Sequence, residues 1–309
     1  MEHLEGRIAV LSALRARLRR VQLVLVSASA HEEKVGDVLR AASRAGVPVK
    51  RVTAEELSRM AHGRSHGGVL AVATARPPTP LDALLDVLDA SAAPPFLVML
   101  EGIEDARTLG HTLRSAEALG AHGVLVKKHL WDYDPAEVSR ASSGAYERLP
   151  LVQVDDARAA LGVLRKRGVT AWGCLAGAKK ALTEVDLTGP VLLALGGEKR
   201  GLSGAVRGLC DGFVTVPMAA PASDDRMSDE MPPDAVRVTS LPLGHAAAIA
   251  MAEVLRQRRA HPVSAGGRPA DSGRAVAVSG RLGDHASNVR PGDRRGQAGD
   301  KIPELGDRL

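Results

Sequence analysis

The chain has 309 residues, 45% hydrophobic but only 2% aromatic, enough for about two domains whose cores are built from Ala, Val and Leu. No run of about 18 apolar residues occurs. The opening MEHLEGRIAV lacks the basic start and apolar block of a signal peptide, so a soluble cytoplasmic protein with no membrane partner is expected. Two cysteines, Cys174 and Cys210, without a Cys-x-x-Cys pattern argue against a disulfide framework or a zinc site. The net charge of +5 is unevenly spread: residues 1–76 hold 13 Lys and Arg against 7 Asp and Glu, while residues 77–261 hold 20 against 23. A polyanion such as RNA would meet the N-terminal part first, although a solvated arginine-rich helix face accounts for the charge equally well.

Residues 6–18 carry Ile8, Leu11, Leu14 and Leu18 at helical spacing, with Arg15 and Arg17 outward. A strand is predicted over Val21–Val26, a helix over His31–Ala45 stopped by Gly46, and a strand over Val47–Val52. Thr53 with Glu56 three positions on fits a capping box for a short helix through Met60. HGRSHGG leads into a third strand, Val69–Ala73. Such alternation within 80 residues indicates a small α/β domain, residues 1–76. His62 and His66 have no third ligand type nearby, so no metal is expected; Arg64 between them suits a phosphate backbone better. The prolines of ARPPTP, Ala75 to Pro80, stiffen the chain and open a linker, residues 77–94.

The next domain, residues 95–259, alternates strands and helices. Phe96–Leu100 reads as a strand. Asp105 to Val126 reads as a turn, a helix with the stripe Leu109, Leu113, Ala116 and Leu119, and a strand. A helix ending near Ser142-Ser143-Gly144, a strand near Leu151, a helix over Asp156–Arg167, a strand over Ala171–Ala176 and a further helix follow. VLLALGGEKRGLS, Val191 to Ser203, is the most informative stretch. Its apolar run suits a strand covered on both faces, and Gly196, Gly197 and Gly201 let the backbone turn sharply and let a ligand approach main-chain amides. On its own an ordinary strand-to-helix turn is as good a reading. A strand over Phe213–Pro217, a polar segment over Ala219–Val236 and a long helix from SLPLGHAAAIAMAEVLRQRR complete an open parallel sheet. Ligands are expected at the carboxyl ends of its strands. After about Ala260, Gly, Arg, Asp, Ser and Pro dominate, and disorder is predicted for residues 260–309 because too few apolar side chains remain to offset chain entropy.

Three segments in this order resemble the motifs of the SpoU/TrmH RNA 2′-O-ribose methyltransferases: DARTLGHTLRSAEALG, LALGGEKRGLS, and VTVPM with SLPLGHAAAIAMAE. SSGAYERLP, Ser142 to Pro150, is similar to a further family segment, and Gly6-Arg7-x-x-Val10 with SHGGVLAV resembles the small RNA-binding domain that precedes the catalytic domain in many members. The resemblance implies an α/β fold whose C-terminal parallel-sheet domain carries a deep trefoil knot, S-adenosylmethionine as cofactor, and a homodimer with the active site at its interface. It implies RNA as partner, ribosomal RNA before transfer RNA. It places Leu195, Gly196, Gly201, Val216, Met218 and Leu241 around the cofactor, mainly through backbone atoms, and Arg114, Glu198 and Ser240 in catalysis. An arginine suits that chemistry as a phosphate clamp or stabiliser of a developing alkoxide, since it is seldom deprotonated. From the residues alone, Arg114 reads more simply as a packing or ion-pair residue.

The chain departs from the family pattern at Thr108 and Pro242, where asparagines are usual, and in the longer acidic segment between Met218 and Ser240, which reads as a solvated loop. Proline supplies neither an amide side chain nor a backbone N–H. These departures favour the alternative of a non-catalytic RNA-binding protein on the same scaffold. A dinucleotide-binding oxidoreductase fits poorly, because its glycine fingerprint belongs after the first strand of the sheet.

Overall fold

The computed structural model describes residues 1–61, 66–127, 133–219 and 240–261. His62, Arg64, the acidic segment beyond Ala219 and the tail beyond His261 lie outside the described residues.

The first sheet is built from β1 (Glu2–Glu5), β2 (Val21–Ser27), β3 (Val49–Val52) and β4 (Val69–Ala73) in the order β1-β4-β2-β3. β1 and β2 flank β4 antiparallel, and β3 runs parallel to β2. Helices α1 (Arg7–Ala16), α2 (Glu32–Ala45) and α3 (Ala54–Met60) join these strands. The capping box is present: Thr53 Oγ1 accepts from the Glu56 amide while the Glu56 carboxylate accepts from the Thr53 amide at 2.8 Å. Gly46 ends α2 in the left-handed region at φ 66°.

Two features differ from the sequence reading. Strand β1 has no clear sequence signal, because its EHLE pattern is short and carries two acids. The buried stripe of α1 is also rotated from the expected one: Ala9, Val10, Ala13 and Leu14 are buried, whereas Ile8 and Leu18 are 50% and 45% exposed. Small residues there let α1 approach its neighbours closely. Leu18 falls beyond Arg17, whose φ of 56° has already ended the helix.

The second sheet is wholly parallel, in the order β7-β6-β5-β10-β8-β11-β9. Its strands are β5 (Phe96–Glu101), β6 (Gly123–Lys127), β7 (Leu151–Val154), β8 (Thr170–Cys174), β9 (Lys180–Ala181), β10 (Val191–Gly196) and β11 (Gly212–Thr215). β5 and β10 lie side by side at its centre, in register from Val191 on Phe96 to Gly196 on Glu101. Alternate residues of both strands serve opposite cores, which is why their sequences are continuously apolar. Phe96, Val98, Leu100, Leu193 and Leu195 face α5 (Ala106–Ala118), α6 (Pro135–Ala141) and α9 (Leu243–Ala260). Leu97, Met99, Leu192 and Ala194 face α4 (Leu81–Ala90), α7 (Ala157–Arg165) and α8 (Gly204–Arg207).

Helix α4 lies within the stretch read as a linker, and its Leu84, Leu85 and Leu88 are buried against the second sheet. Prolines at 77, 78 and 80 stiffen only the approach to it; Pro80 serves as its N-cap position. The helix expected between β8 and β10 is absent. The chain there makes the short strand β9 and a single 3₁₀ turn, Leu182–Glu184, because Lys180 and Ala181 are held extended by pairing with Val214 and Thr215 of β11.

The two sheets are joined by buried charge. Arg19, its side chain fully buried, donates from Nε and Nη2 to the two carboxylate oxygens of Glu147 at 2.9 and 2.7 Å, and from Nη1 to Glu2 and to the Thr74 carbonyl. Glu147 belongs to the 3₁₀ turn Ala145–Glu147 and also accepts from Ser139 Oγ at 3.0 Å. Arg76 lies 4.8 Å from the Tyr146 ring centre and donates to the Leu149 carbonyl. Burial opposes the charge on Arg19, yet Glu147 and Glu2 outweigh it and raise the pKa. A buried bidentate pair is geometrically specific, and removing one partner strands the other charge. Glu147→Ala is therefore expected to lower the unfolding free energy by about 3–5 kcal/mol in urea titrations, whereas Arg167→Ala, which breaks the exposed pair with Asp89, leaves it nearly unchanged.

Candidate active site

A cavity of about 550 Å³ opens at the carboxyl ends of β8, β10 and β11. This is the edge where an open parallel sheet presents free backbone groups, beside the point where the strand order reverses between β5 and β10. The segment after β8, Cys174 to Gly177, forms one wall, and Val216 and Met218 after β11 form another. Leu195, Gly196, Glu198 and Gly201 contribute from the turn after β10, and Ser240 and Leu241 from the approach to α9. Eight of the nine predicted site residues thus converge on one cavity. Arg114 does not line it; it stands exposed on α5, the helix that packs against α9.

The turn after β10 owes its shape to close backbone approaches. A Cβ on Gly196 would lie 2.0 Å from the carbonyl carbon of Gly201, and one on Gly197 would lie 2.1 Å from the carbonyl oxygen of Gly102. A side chain at either position would force the backbone segments apart. The turn closes on itself, with the Gly201 amide donating to the Gly197 carbonyl at 2.8 Å.

Two carboxylates fix its surroundings. Glu101, at the end of β5 and 6% exposed, accepts from the Ser203 amide and from Lys127 Nζ, both at 2.7 Å. Burial alone would raise its pKa, but the hydrogen bonds from Lys127 and Ser203 outweigh it and hold the carboxyl below its ordinary value of 4.5. Glu198 Oε1 accepts from the Leu243 amide at 3.1 Å. That amide is an orphan donor in the first turn of α9, where Pro242 occupies the N-cap and offers no side-chain cap. The glutamate of the second motif therefore caps the helix of the third, and Pro242 is accommodated because its own carbonyl accepts from His245 and Ala246.

Thr108 is likewise absorbed locally: its amide and hydroxyl both donate to Asp105 at the N-terminus of α5. His66 accepts from the Gly68 amide through Nδ1, a turn-closing role. Among the described residues no group of three or more His, Cys, Asp or Glu side chains could hold a metal ion. Cys174 lines the cavity, but burial pushes its thiol up to about 12, so it is neutral and not nucleophilic. The wall from Cys174 to Gly177 carries no motif of its own, although the carboxyl-end rule applied to β8 points to it.

Residues 95–223 match the SpoU rRNA Methylase family, and residues 3–79 match the substrate-binding family of RNA 2′-O ribose methyltransferases. The chain is 33% identical over 250 residues to the 23S rRNA (guanosine-2′-O-)-methyltransferase RlmB of Xylella fastidiosa, covering 81% of this chain and 94% of that protein. The chain belongs to the SpoU rRNA methylase family. It is also 34% identical over 258 residues to an uncharacterized tRNA/rRNA methyltransferase of Mycolicibacterium smegmatis, with 82% and 76% of the two chains covered. Among solved structures, the SpoU methyltransferase AviRb of Streptomyces viridochromogenes in complex with AdoMet superposes with a TM-score of 0.65 at 25% identity, over 84% of this chain and 90% of that one. The second and third motif segments line the cavity, whereas the first lies on α5 and does not; the starts of α5 and α9 stay closed at Thr108 and Pro242.

A carboxyl with a depressed pKa stabilises the fold fully above its unfolded value, and that contribution is lost as pH falls through the lower folded value. Urea titrations between about pH 6 and about pH 3 should show this SpoU chain losing stability on acidification, and Glu101→Gln should lose less over the same range.

Proposed function

We propose that this SpoU methylase transfers a methyl group from S-adenosylmethionine to a ribose 2′-hydroxyl of ribosomal RNA. The observation that carries the reading is the convergence of eight motif residues on one cavity at the carboxyl ends of β8, β10 and β11. The RlmB relative of Xylella fastidiosa acts on 23S rRNA, and AviRb holds AdoMet, so both substrate and cofactor have precedents in the family. The residues present suit that cofactor. A mostly apolar cavity of about 550 Å³ lies in the usual range for small-molecule sites, and glycine backbone offers amides and carbonyls to a purine and an amino-acid moiety.

S-adenosylmethionine would supply an electrophilic methyl on a sulfonium. The protein's part is to position the ribose hydroxyl, exclude water and favour the developing alkoxide. Leu195, Gly196, Gly201, Val216, Met218 and Leu241 form the cofactor wall in this reading. Ser240 stands at the active-site end, and Glu198 acts as a positioning residue by holding the start of α9. Arg114 clamps the target phosphate or stabilises the alkoxide. Its place outside the cavity wall fits a site completed by a second copy of the chain, and hence a homodimer. In this reading the methyltransferase domain also carries the trefoil knot that the motif resemblance implies, with the start of α9 tied to the turn after β10 by Glu198. Residues 1–76 serve as the RNA-binding domain and residues 95–259 as the methyltransferase domain, working in the cytoplasm where ribosomal RNA is found. No helix among the described residues is long and apolar enough to cross a membrane.

The test is transfer of labelled methyl from S-adenosylmethionine to unmodified ribosomal RNA. Label should survive alkaline hydrolysis in a resistant dinucleotide, because a methylated 2′-oxygen cannot attack the adjacent phosphate, and Arg114→Ala should lower transfer by about 100-fold or more. RNA binding without any transfer would favour the non-catalytic reading that Thr108 and Pro242 raise.

A further inference from the structure

A second cavity, of about 300 Å³, lies on the N-terminal domain between α1 and α2 and is unrelated to the methyl-transfer site. The two helices run side by side in the same direction: Arg7 near the start of α1 pairs with Asp37 in α2, and Arg17 just past its end donates to the Arg44 carbonyl at 3.4 Å. The cleft between them is lined by Arg15, Arg17, Arg40 and Arg44, all exposed, above Leu14 and Ala41. The acid in the lining is Asp37, and its carboxylate is already occupied by Arg7 and by the Val38 amide. None of the four arginines forms an ion pair with any described residue.

Ordinary helix electrostatics explain part of this arrangement. Arg15 and Arg44 sit in the last turns of their helices, where a cation meets the negative end of the dipole. Arg40 lies further back in α2, and Arg17 lies outside α1 in the left-handed region, which residues with a Cβ other than Asn and Asp rarely adopt. Four like charges around one cleft repel one another, and no anion among the described residues answers them. All four are arginines, whose planar guanidinium matches a phosphate through two parallel hydrogen bonds, as a lysine cannot. At about 30 Å³ per water the cleft holds roughly ten waters, room for a phosphodiester with part of its sugar.

We propose that the α1–α2 arginine cleft is a docking site for the phosphodiester backbone of RNA, read by charge and not by sequence. This rests on the assignment of the chain as an RNA-acting SpoU methylase, and it adds where the substrate is gripped away from the reacting ribose. The buried Arg19–Glu147 pair holds α1's domain against the second sheet, so a strand gripped in the cleft stays in fixed relation to the cavity.

The experiment uses the full chain and a fluorescein-labelled RNA hairpin of mixed sequence, titrated by anisotropy across a range of salt. Every phosphate that is no longer neutralised should reduce the slope of log affinity against log salt by about 0.7–0.9. Arg40→Ala/Arg44→Ala should therefore lower the slope by about 1.5 and weaken binding by about tenfold or more at low salt. Arg158→Ala/Lys166→Ala on and just after α7, which removes the same charge, should leave both nearly unchanged. Lysine at positions 40 and 44 should restore the slope more fully than the affinity. Unaltered slope and affinity in the arginine double variant, or no RNA binding by the parent chain, would overturn the cleft. Methyl transfer to unmodified ribosomal RNA is measured with the same proteins. Binding that depends on the cleft without any transfer would sink the methylase reading alone, and transfer by a chain indifferent to the cleft mutations would sink the cleft alone.

Discussion

The backbone contact between Gly197 and Gly102 is the constraint on which the rest of the site depends. It brings the turn after β10 onto the turn after β5 with no side chain between them, at a distance where a Cβ would overlap a carbonyl oxygen. Glu101, one residue before that contact, receives the Ser203 amide and so fastens the far end of the same turn. Glu198, one residue after it, receives the Leu243 amide and so fastens α9. A single close approach thus sets three segments distant in sequence around one cavity. Its effect is steric exclusion and hydrogen bonding to main chain, which explains why so few charged side chains line the wall.

The same logic accounts for the tolerated departures from the family pattern. An asparagine before α9 could cap that helix with its own amide group, whereas Pro242 cannot. The cap is supplied instead from across the cavity by Glu198. Thr108 turns its hydroxyl onto Asp105 and closes the start of α5. Each substituted position therefore keeps its helix start closed, and the scaffold retains its frame with altered side chains at both.

Much of this is legible in the sequence where local and global signals agree. The apolar run Val191 to Leu195 specifies a strand buried on both faces, and the glycines that follow mark a close approach without saying what approaches. Eight site residues follow from the motifs and do meet at one cavity. What stays hidden depends on partners far along the chain. The capping role of Glu198 needs Leu243, 45 residues away. The buried clamp needs Arg19 to meet Glu147 across 128 residues, and neither residue's neighbours announce it. Helical spacing locates α1 and its inward Leu11 and Leu14 but misplaces Ile8 and Leu18, because Ala9, Val10 and Ala13 widen the buried face on the other side. Helix α4 is masked by the prolines before it, and the short strand β9 by its length of two residues.

On the proposed reading, this glycine-bounded cavity takes S-adenosylmethionine. Isothermal titration of S-adenosylmethionine into the full chain and into Gly197→Ala, with thermal unfolding followed on both, tests it most directly. One molecule should bind per chain. Gly197→Ala should bind at least about tenfold more weakly even where the variant remains folded, since the added Cβ must push the two turns apart. Absence of binding to the parent chain, or equal affinity in a folded Gly197→Ala, would contradict the claim.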